Sequence, residues 1–376
     1  MKILQIYELG PLDEVNVHSG IDVAILELSK HLSRMGHEVS ILCGAGNGVI
    51  GKHYVGDVEI IPVEFSGIMR RTWSPSNLRF IRQAAFPFVV QAKKLDKFDI
   101  YHGHVYASGL LANYLARRSR GKAVNTIHGS YYPIWNEIAS PLEAGFYGNC
   151  ERILAPLLAR MSNLQIHTAG YFAKQVLEWG APKEKIRVIH NGVDSDVFHP
   201  SVKAVEFDKD APVIFTARRL VRKNGVEYLV RAMKHVLRKE DCSLLIAGDG
   251  PERSRLEGLA SKLGISSRII FLGLLQHREI PSYLALADVA VVPSLIEASS
   301  LFILEAMAMD KPLVATKVGA IPEIAAGALL VEPKDEVALA DGILQALKDG
   351  FDGYAKVQCT WEDVARQTED CYFNIM

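Results

Sequence analysis

What this chain is short of narrows its function first. Cysteine is scarce: Cys43, Cys150, Cys242, Cys359 and Cys371 are odd in number, widely spaced, and form no Cys-x-x-Cys pair. That usage supports neither a disulfide framework nor a zinc site, and it suits a reducing cytoplasm. No run reaches about 18 uncharged apolar residues, so no transmembrane helix is expected. Lys2 leads straight into ILQIY, which reads as a buried first strand and not as a cleavable leader. Net charge is nearly absent, 42 Lys and Arg against 43 Asp and Glu. A balance of −1 argues against a general nucleic-acid binder.

The composition that remains, 49% hydrophobic and 23% charged, is that of a soluble globular enzyme. At 376 residues the chain exceeds one ordinary core, so two domains are expected. Strand-like apolar runs alternate with helical patterns throughout, the signature of parallel sheets with helices on both faces. Residues 3–7 read as the first strand. A helix over 22–35 follows, with Ile25, Leu28, Leu32 and Met35 at three- and four-residue spacing and Gly36 as its stop. Further strands are expected at 37–44, 99–105, 123–129, 164–169 and 186–192. The polar, proline-containing stretch 199–212 reads as an interdomain linker. The pattern then restarts at 213–219 and continues through 243–250, 268–275, 288–294, 312–316 and 328–333. The two halves look like two copies of one architecture.

The most informative segment is PSLIEASSLFILEAMAMDKPLVA, residues 293–315. The apolar run before it reads as a buried parallel strand, and LFILEAMAM as the helix after it. Ser299, Ser300 and Leu301 then lie at the helix N-terminus, where unpaired N–H groups and the helix dipole favour an anion. Glu297 hangs from the loop at that mouth, and Glu305 follows one to two turns into the helix. A carboxylate so placed can take two ribose hydroxyls while the helix N-terminus takes a diphosphate. Upstream, ARRLVRKNGVEYL places Lys223 five residues after Arg218, two cations in a strand-to-helix loop that suit a diphosphate leaving group. Arg219 and Arg222 blur the register, and a solvated basic turn is the plain alternative.

This pattern resembles the signature of the retaining family-4 glycosyltransferases. The family's usual Glu-Gly-Phe-Gly is here Glu297-Ala298-Ser299-Ser300. The glutamate spacing, the LEAMA block and Lys311-Pro312 are kept, and Arg218 and Lys223 match the family's G-R-L-x-x-x-K by spacing. The departure bears on sugar and acceptor preference, because those residues border the transferred sugar. The resemblance covers nearly the whole chain. It implies α/β class and GT-B architecture, two Rossmann-like doubly wound parallel-sheet domains facing across a cleft. Residues 1–198 would bind acceptor and 199–376 the nucleotide-sugar donor. A terminal helix at about 360–376 would cross back to the first domain or stay on the second.

The implied reaction is hexosyl transfer from a UDP- or GDP-type sugar to a glycan, lipid-linked or small polyol hydroxyl, with retention and without a cofactor or catalytic metal. No residue stands out as a covalent nucleophile, which fits the front-face route this family is generally thought to use. Arg218 and Lys223 would stabilise the departing diphosphate, Glu305 hold the ribose, and Glu297 contact sugar hydroxyls. His128 in NTIHG ends a strand, the place where ligands meet open parallel sheets. It matches the family histidine that faces the sugar, and a hydrogen-bonded core histidine is the alternative. Gly20 would let backbone approach the diphosphate. Gly248 in AGDGP is either a packing turn or a donor contact. Leu274 and Leu275 fall near the expected base pocket.

Other features resist such assignment. His102 and His104 alternate on one strand as a metal pair would, without a third ligand at suitable spacing. GNGVIG (46–51) matches a dinucleotide fingerprint literally, but a strand-like run and no helix follows, so a glycine-rich hairpin loop is the better reading. Residues 66–122 hold eleven Lys and Arg, from Arg70 to Lys122, against Asp96 and Asp99. That region is a solvated helix face or a patch for an anionic membrane. The location expected is cytoplasmic, extending to the inner membrane face if that patch meets lipid. Two rivals stay open: a nucleotide-sugar epimerase of the same architecture, and a catalytically silent glycosyltransferase-like binding subunit.

Overall fold

A computed structural model describes residues 1–7, 19–44, 51–63, 94–207, 211–349 and 359–376. The chain divides into two compact units, one of Met1–Gly192 with Trp361–Met376, the other of Val193–Thr360.

The first unit is built on β1 (Lys2–Ile6), β2 (Glu38–Gly44), β3 (His53–Val55), β4 (Val58–Val63), β5 (Ile100–His104), β6 (Lys122–Ile127), β7 (Leu164–His167) and β8 (Ile186–Val188). Among the described residues their order is β3-β4-β2-β1-β5-β6-β7-β8. Every neighbouring pair is parallel except β3 with β4, a hairpin turning at Gly56. The longer helices are α1 (Gly20–Arg34), α2 (Val105–Ser119), α3 (Pro141–Met161) and α4 (Gly170–Glu178). Ser19 caps α1 by accepting the Asp22 N–H on its hydroxyl, and the helix buries Ile25, Leu28 and Leu32. The sheet reverses direction of growth between β1 and β5, so its switch point lies at the carboxyl ends of those strands. The dinucleotide-like residues 46–50, and the basic residues from Arg70 to Lys93, lie outside the described residues.

The second unit has β9 (Val213–Ala217), β10 (Ser243–Ala247), β11 (Ile269–Gly273), β12 (Val289–Val292), β13 (Leu313–Thr316) and β14 (Leu329–Val331). Among the described residues they form an all-parallel sheet in the order β11-β10-β9-β12-β13-β14. Its longer helices are α5 (Val226–Val236), α6 (Arg253–Leu263), α7 (Ile280–Leu286), α8 (Leu301–Ala308) and α9 (Glu336–Asp349). Residues 289–292 are wholly buried, as an unbroken apolar strand between two helical layers must be. The switch point here lies between β9 and β12.

The junction differs from the sequence expectation. It falls after Gly192 instead of near 198, and the described part of 199–212 belongs to the second unit. The Val205 N–H, for example, donates to the Ser282 carbonyl there. Composition marked this segment as a linker, but its backbone bonds anchor it. The last helix, α10 (Trp361–Phe373), belongs to the first unit. It packs on α1 through Trp361, Val364, Ala365 and Tyr372, and Glu369 meets the His37 ring 2.6 Å away.

Candidate active site

Arg218 follows β9 directly, and the loop carrying Ser294 and Glu297 follows β12, so the switch point of the second sheet brings them together. Arg218 Nη2 donates to the Glu297 carboxylate and, at 2.7 Å, to Ser294 Oγ; Nη1 donates to Ser300 Oγ at 2.9 Å. The Arg218 and Glu297 side chains are 7% and 11% exposed. Burial alone would push the Glu297 carboxyl up. The charges of Arg218 and Lys223 outweigh it and hold the carboxyl below its ordinary range. Of the arginines in this loop, Arg218 points into the network, while Arg219 and Arg222 are exposed. Lys223 is half-buried in the same loop.

Ser300 caps α8 in extended conformation, so the first amides of the helix open beside Arg218. Ser299 and Leu301 flank it, and both Ser300 and Leu301 are buried. Ser300, which stands where the family's usual Glu-Gly-Phe-Gly pattern has its last glycine, thus has a local purpose, since its hydroxyl receives one arm of Arg218. A guanidinium has five N–H hydrogens. Nη1 meets Ser300, and Nη2 meets Ser294, Glu297 and, more distantly at 3.5 Å, Asn224 Oδ1, so one hydrogen on Nη1 and that on Nε are not used in these bonds.

Glu305 lies one turn into α8 and is buried. One of its oxygens accepts from His277 Nε2 at 2.7 Å. His277 begins a single 3-10 turn just past Leu274 and Leu275, Leu274 being exposed and Leu275 half-buried. The loop expected near a base and the carboxylate expected near a ribose are therefore tied together. Sequence reasoning missed His277; its only signal was a titratable residue two positions beyond the predicted base loop. Ser294 and Asn224 were missed as well, because each acts by holding Arg218 or its loop.

Gly248 has φ +125°, and a Cβ there would meet the Arg218 carbonyl oxygen at 2.0 Å. This supplies the packing reason for the glycine, and it places the 248 backbone against the arginine. Gly319, at φ +53°, does the same against the Glu297 backbone.

In the first unit Gly20 is exposed at the start of α1, and residues 8–18 before it lie outside the described residues. His128 follows β6 and is half-buried. Its loop is fixed from below by Glu151 of α3, which accepts from Ser130 Oγ at 2.5 Å and the Tyr131 N–H at 3.1 Å. Burial raises the Glu151 carboxyl, against which those bonds work. His128 Nε2 lies 2.9 Å from His104 Nδ1. The neighbouring His102 has both nitrogens engaged, with the Tyr372 hydroxyl and Thr126 Oγ1, each at 2.6 Å. The His-x-His pair is thus spent on protein partners. Among the described residues no group of three or more His, Cys, Asp or Glu could hold a metal ion.

Two family models match the chain: Glycosyltransferase Family 4 over residues 18–197, and Glycosyl transferases group 1 over residues 211–349. The chain belongs to the family-4 glycosyltransferases, and its architecture is GT-B. An uncharacterized glycosyltransferase of Methanocaldococcus jannaschii is 27% identical, with 94% of each chain covered. Among solved structures, sucrose-phosphate synthase from Thermosynechococcus elongatus superposes with TM-score 0.86 at 24% identity, covering 100% of this chain and 98% of that one. Anabaena HepE in complex with UDP and glucose gives TM-score 0.70 at 19% identity, covering 100% and 96%. At these identities the structural likeness shows the fold.

Proposed function

We propose that this glycosyltransferase moves a hexosyl group from a nucleotide-diphosphate sugar to an acceptor hydroxyl, with retention of anomeric configuration, in glycan, glycolipid or polysaccharide synthesis. The observation that carries the reading is the buried Arg218 guanidinium, braced by Glu297, Ser294 and Ser300 at the mouth of α8. Its two remaining N–H hydrogens, Lys223 and the amides at Ser299–Leu301 form a seat for a diphosphate. Glu305 holds the ribose through the oxygen that His277 does not occupy. Leu274 and Leu275 border the base, and Gly20 and Gly248 give backbone access. Glu297 meets sugar hydroxyls while bracing Arg218, and His128 contributes a contact to the sugar. The HepE complex with UDP and glucose supports a donor of this kind.

In the step itself, the bond between the anomeric carbon and the diphosphate oxygen breaks and its electron pair leaves with the diphosphate. The acceptor oxygen bonds to the same face of that carbon, and its proton passes to a phosphate oxygen. Both site glutamates are engaged, Glu297 with Arg218 and Glu305 with His277, which favours this route over a covalent glycosyl intermediate. Arg218 and Lys223 supply the positive charge, so the reading needs no metal or other cofactor.

The acceptor is a glycan end, a lipid-linked carrier or a small polyol. Peripheral contact with a membrane at its cytoplasmic face belongs to the same reading. Arg117 and Arg118 line a shallow hollow with Leu110, Tyr114 and Met161, and α3 exposes Leu142, Phe146 and Ile153 along one side. Flotation with anionic liposomes at low salt tests it, and absence of binding removes the membrane contact.

The donor site is tested by thermal stability against UDP, GDP and ADP and their sugars, with Glu305→Ala beside the wild type. A ligand at about 100 times its Kd adds about 2.7 kcal/mol to the folded state. One base family should stabilise the wild type and not the variant. No shift with any nucleotide would favour a silent binding subunit.

A further inference from the structure

Three adjacent strands deliver a polar side chain to the switch point of the first sheet. Gln5 lies on β1, His104 ends β5, and His128 stands just past β6. His128 Nε2 is 2.9 Å from His104 Nδ1, and His104 Nε2 is 2.8 Å from Gln5 Oε1. Gln5 and His104 are 0% and 2% exposed.

This geometry assigns the protons. Burial keeps both rings neutral, pushing His104 well below its ordinary pKa and His128 down to about 4. Each ring therefore carries one N–H. An amide oxygen only accepts, so the His104 proton sits on Nε2 and its Nδ1 is a lone pair. The bond to His128 then requires the His128 proton on Nε2, which leaves Nδ1 of His128 as an acceptor.

We propose that Gln5 and His104 are positioning residues that fix His128 as a hydrogen-bond acceptor through Nδ1, so that the sugar group it receives is a donating hydroxyl. The proposal rests on the reading of His128 as a sugar contact. It has a consequence for specificity: a donor sugar with fluorine or O-methyl at that hydroxyl is rejected, whereas the opposite tautomer would accept it.

Histidine-selective 15N NMR of the full chain reads the tautomer directly, the His128 resonance being the one lost in His128→Ala. The proton is expected on Nε2 in the wild type and no longer fixed there in Gln5→Met. In assays, Gln5→Met and His104→Leu should lower kcat/KM roughly 10-fold, the effect of one hydrogen bond. His104→Gln, whose amide oxygen accepts the same bond, should recover most of it. The nucleotide-induced thermal shift should persist in all three, which separates lost positioning from lost folding. A proton on Nδ1 of wild-type His128 overturns the proposal, as does Gln5→Met with unchanged tautomer and rate. If His128→Ala itself keeps full activity, the sugar-contact reading fails and takes the proposal with it. Loss in His128→Ala without loss in Gln5→Met sinks the relay alone.

Discussion

Arg218 and Glu297 form a buried ion pair at the carboxyl ends of adjacent parallel strands, 79 residues apart in the chain. Two charges taken out of water need each other and further polar partners, and here Ser294 and Ser300 complete the set. Removing one charge strands the other. Arg218→Ala should therefore lower kcat on the order of 10²–10³-fold. It should also destabilise the fold by roughly 3–5 kcal/mol, read by denaturant unfolding. Turnover near wild type would take Arg218 out of the diphosphate site.

His277 touches Glu305, the carboxylate proposed to hold the ribose, so its loss should act on binding. In His277→Phe the Glu305 carboxylate loses the donor that aims it. Nucleotide Kd should rise about 10-fold, as expected for one lost charge-assisted hydrogen bond, with kcat changed far less. Calorimetric titration beside steady-state kinetics separates the two. A fall in kcat at unchanged Kd would place His277 in the chemistry instead.

The sequence made legible what rests on local pattern. Unbroken apolar runs marked the parallel strands, and Glu297 with Glu305 marked the helix mouth between them. Gly248 was read as either a packing turn or a donor contact, and its close approach to the Arg218 carbonyl appears only when β9 and β10 are paired. What stayed hidden depends on partners distant in the chain. Whether Arg218 or Arg219 turns inward is decided by Ser294, Glu297 and Ser300. The roles of His102 and His104 stayed unassigned because their partners, Tyr372 and Gln5, lie 270 and 99 residues away. The segment 199–212 looked like a linker because composition does not reveal the backbone bonds that anchor it.

If Arg218, Lys223 and the α8 amides neutralise the leaving diphosphate, divalent metal is dispensable. Activity should survive EDTA with less than about a 2-fold change, since no large electrostatic contribution would be lost. An assay after exhaustive chelation, with Mg²⁺ or Mn²⁺ added back, checks it. Loss restored by one metal would show that the cation belongs to the donor complex.

The buried histidines set a pH dependence of stability whose sign follows from their direction of shift. Burial lowers His102 and His167 to about 3 and His128 to about 4, with His104 also well below its ordinary value of 6.5. Between about pH 4 and 6.5 the unfolded chain binds protons that the native rings refuse, so stability rises with pH there. The contribution is complete above about pH 6.5 and is lost as pH falls toward the native values. Glu151, whose carboxyl is raised by burial, works in the opposite direction. Each histidine contributes a slope of at most about 1.4 kcal/mol per pH unit. Unfolding free energies measured from pH 7 down to pH 5 should therefore fall, and His167→Gln, remote from the His128 relay, should flatten the slope. A flat profile in the wild type would mean that these rings are neither as buried nor as neutral as the fold requires.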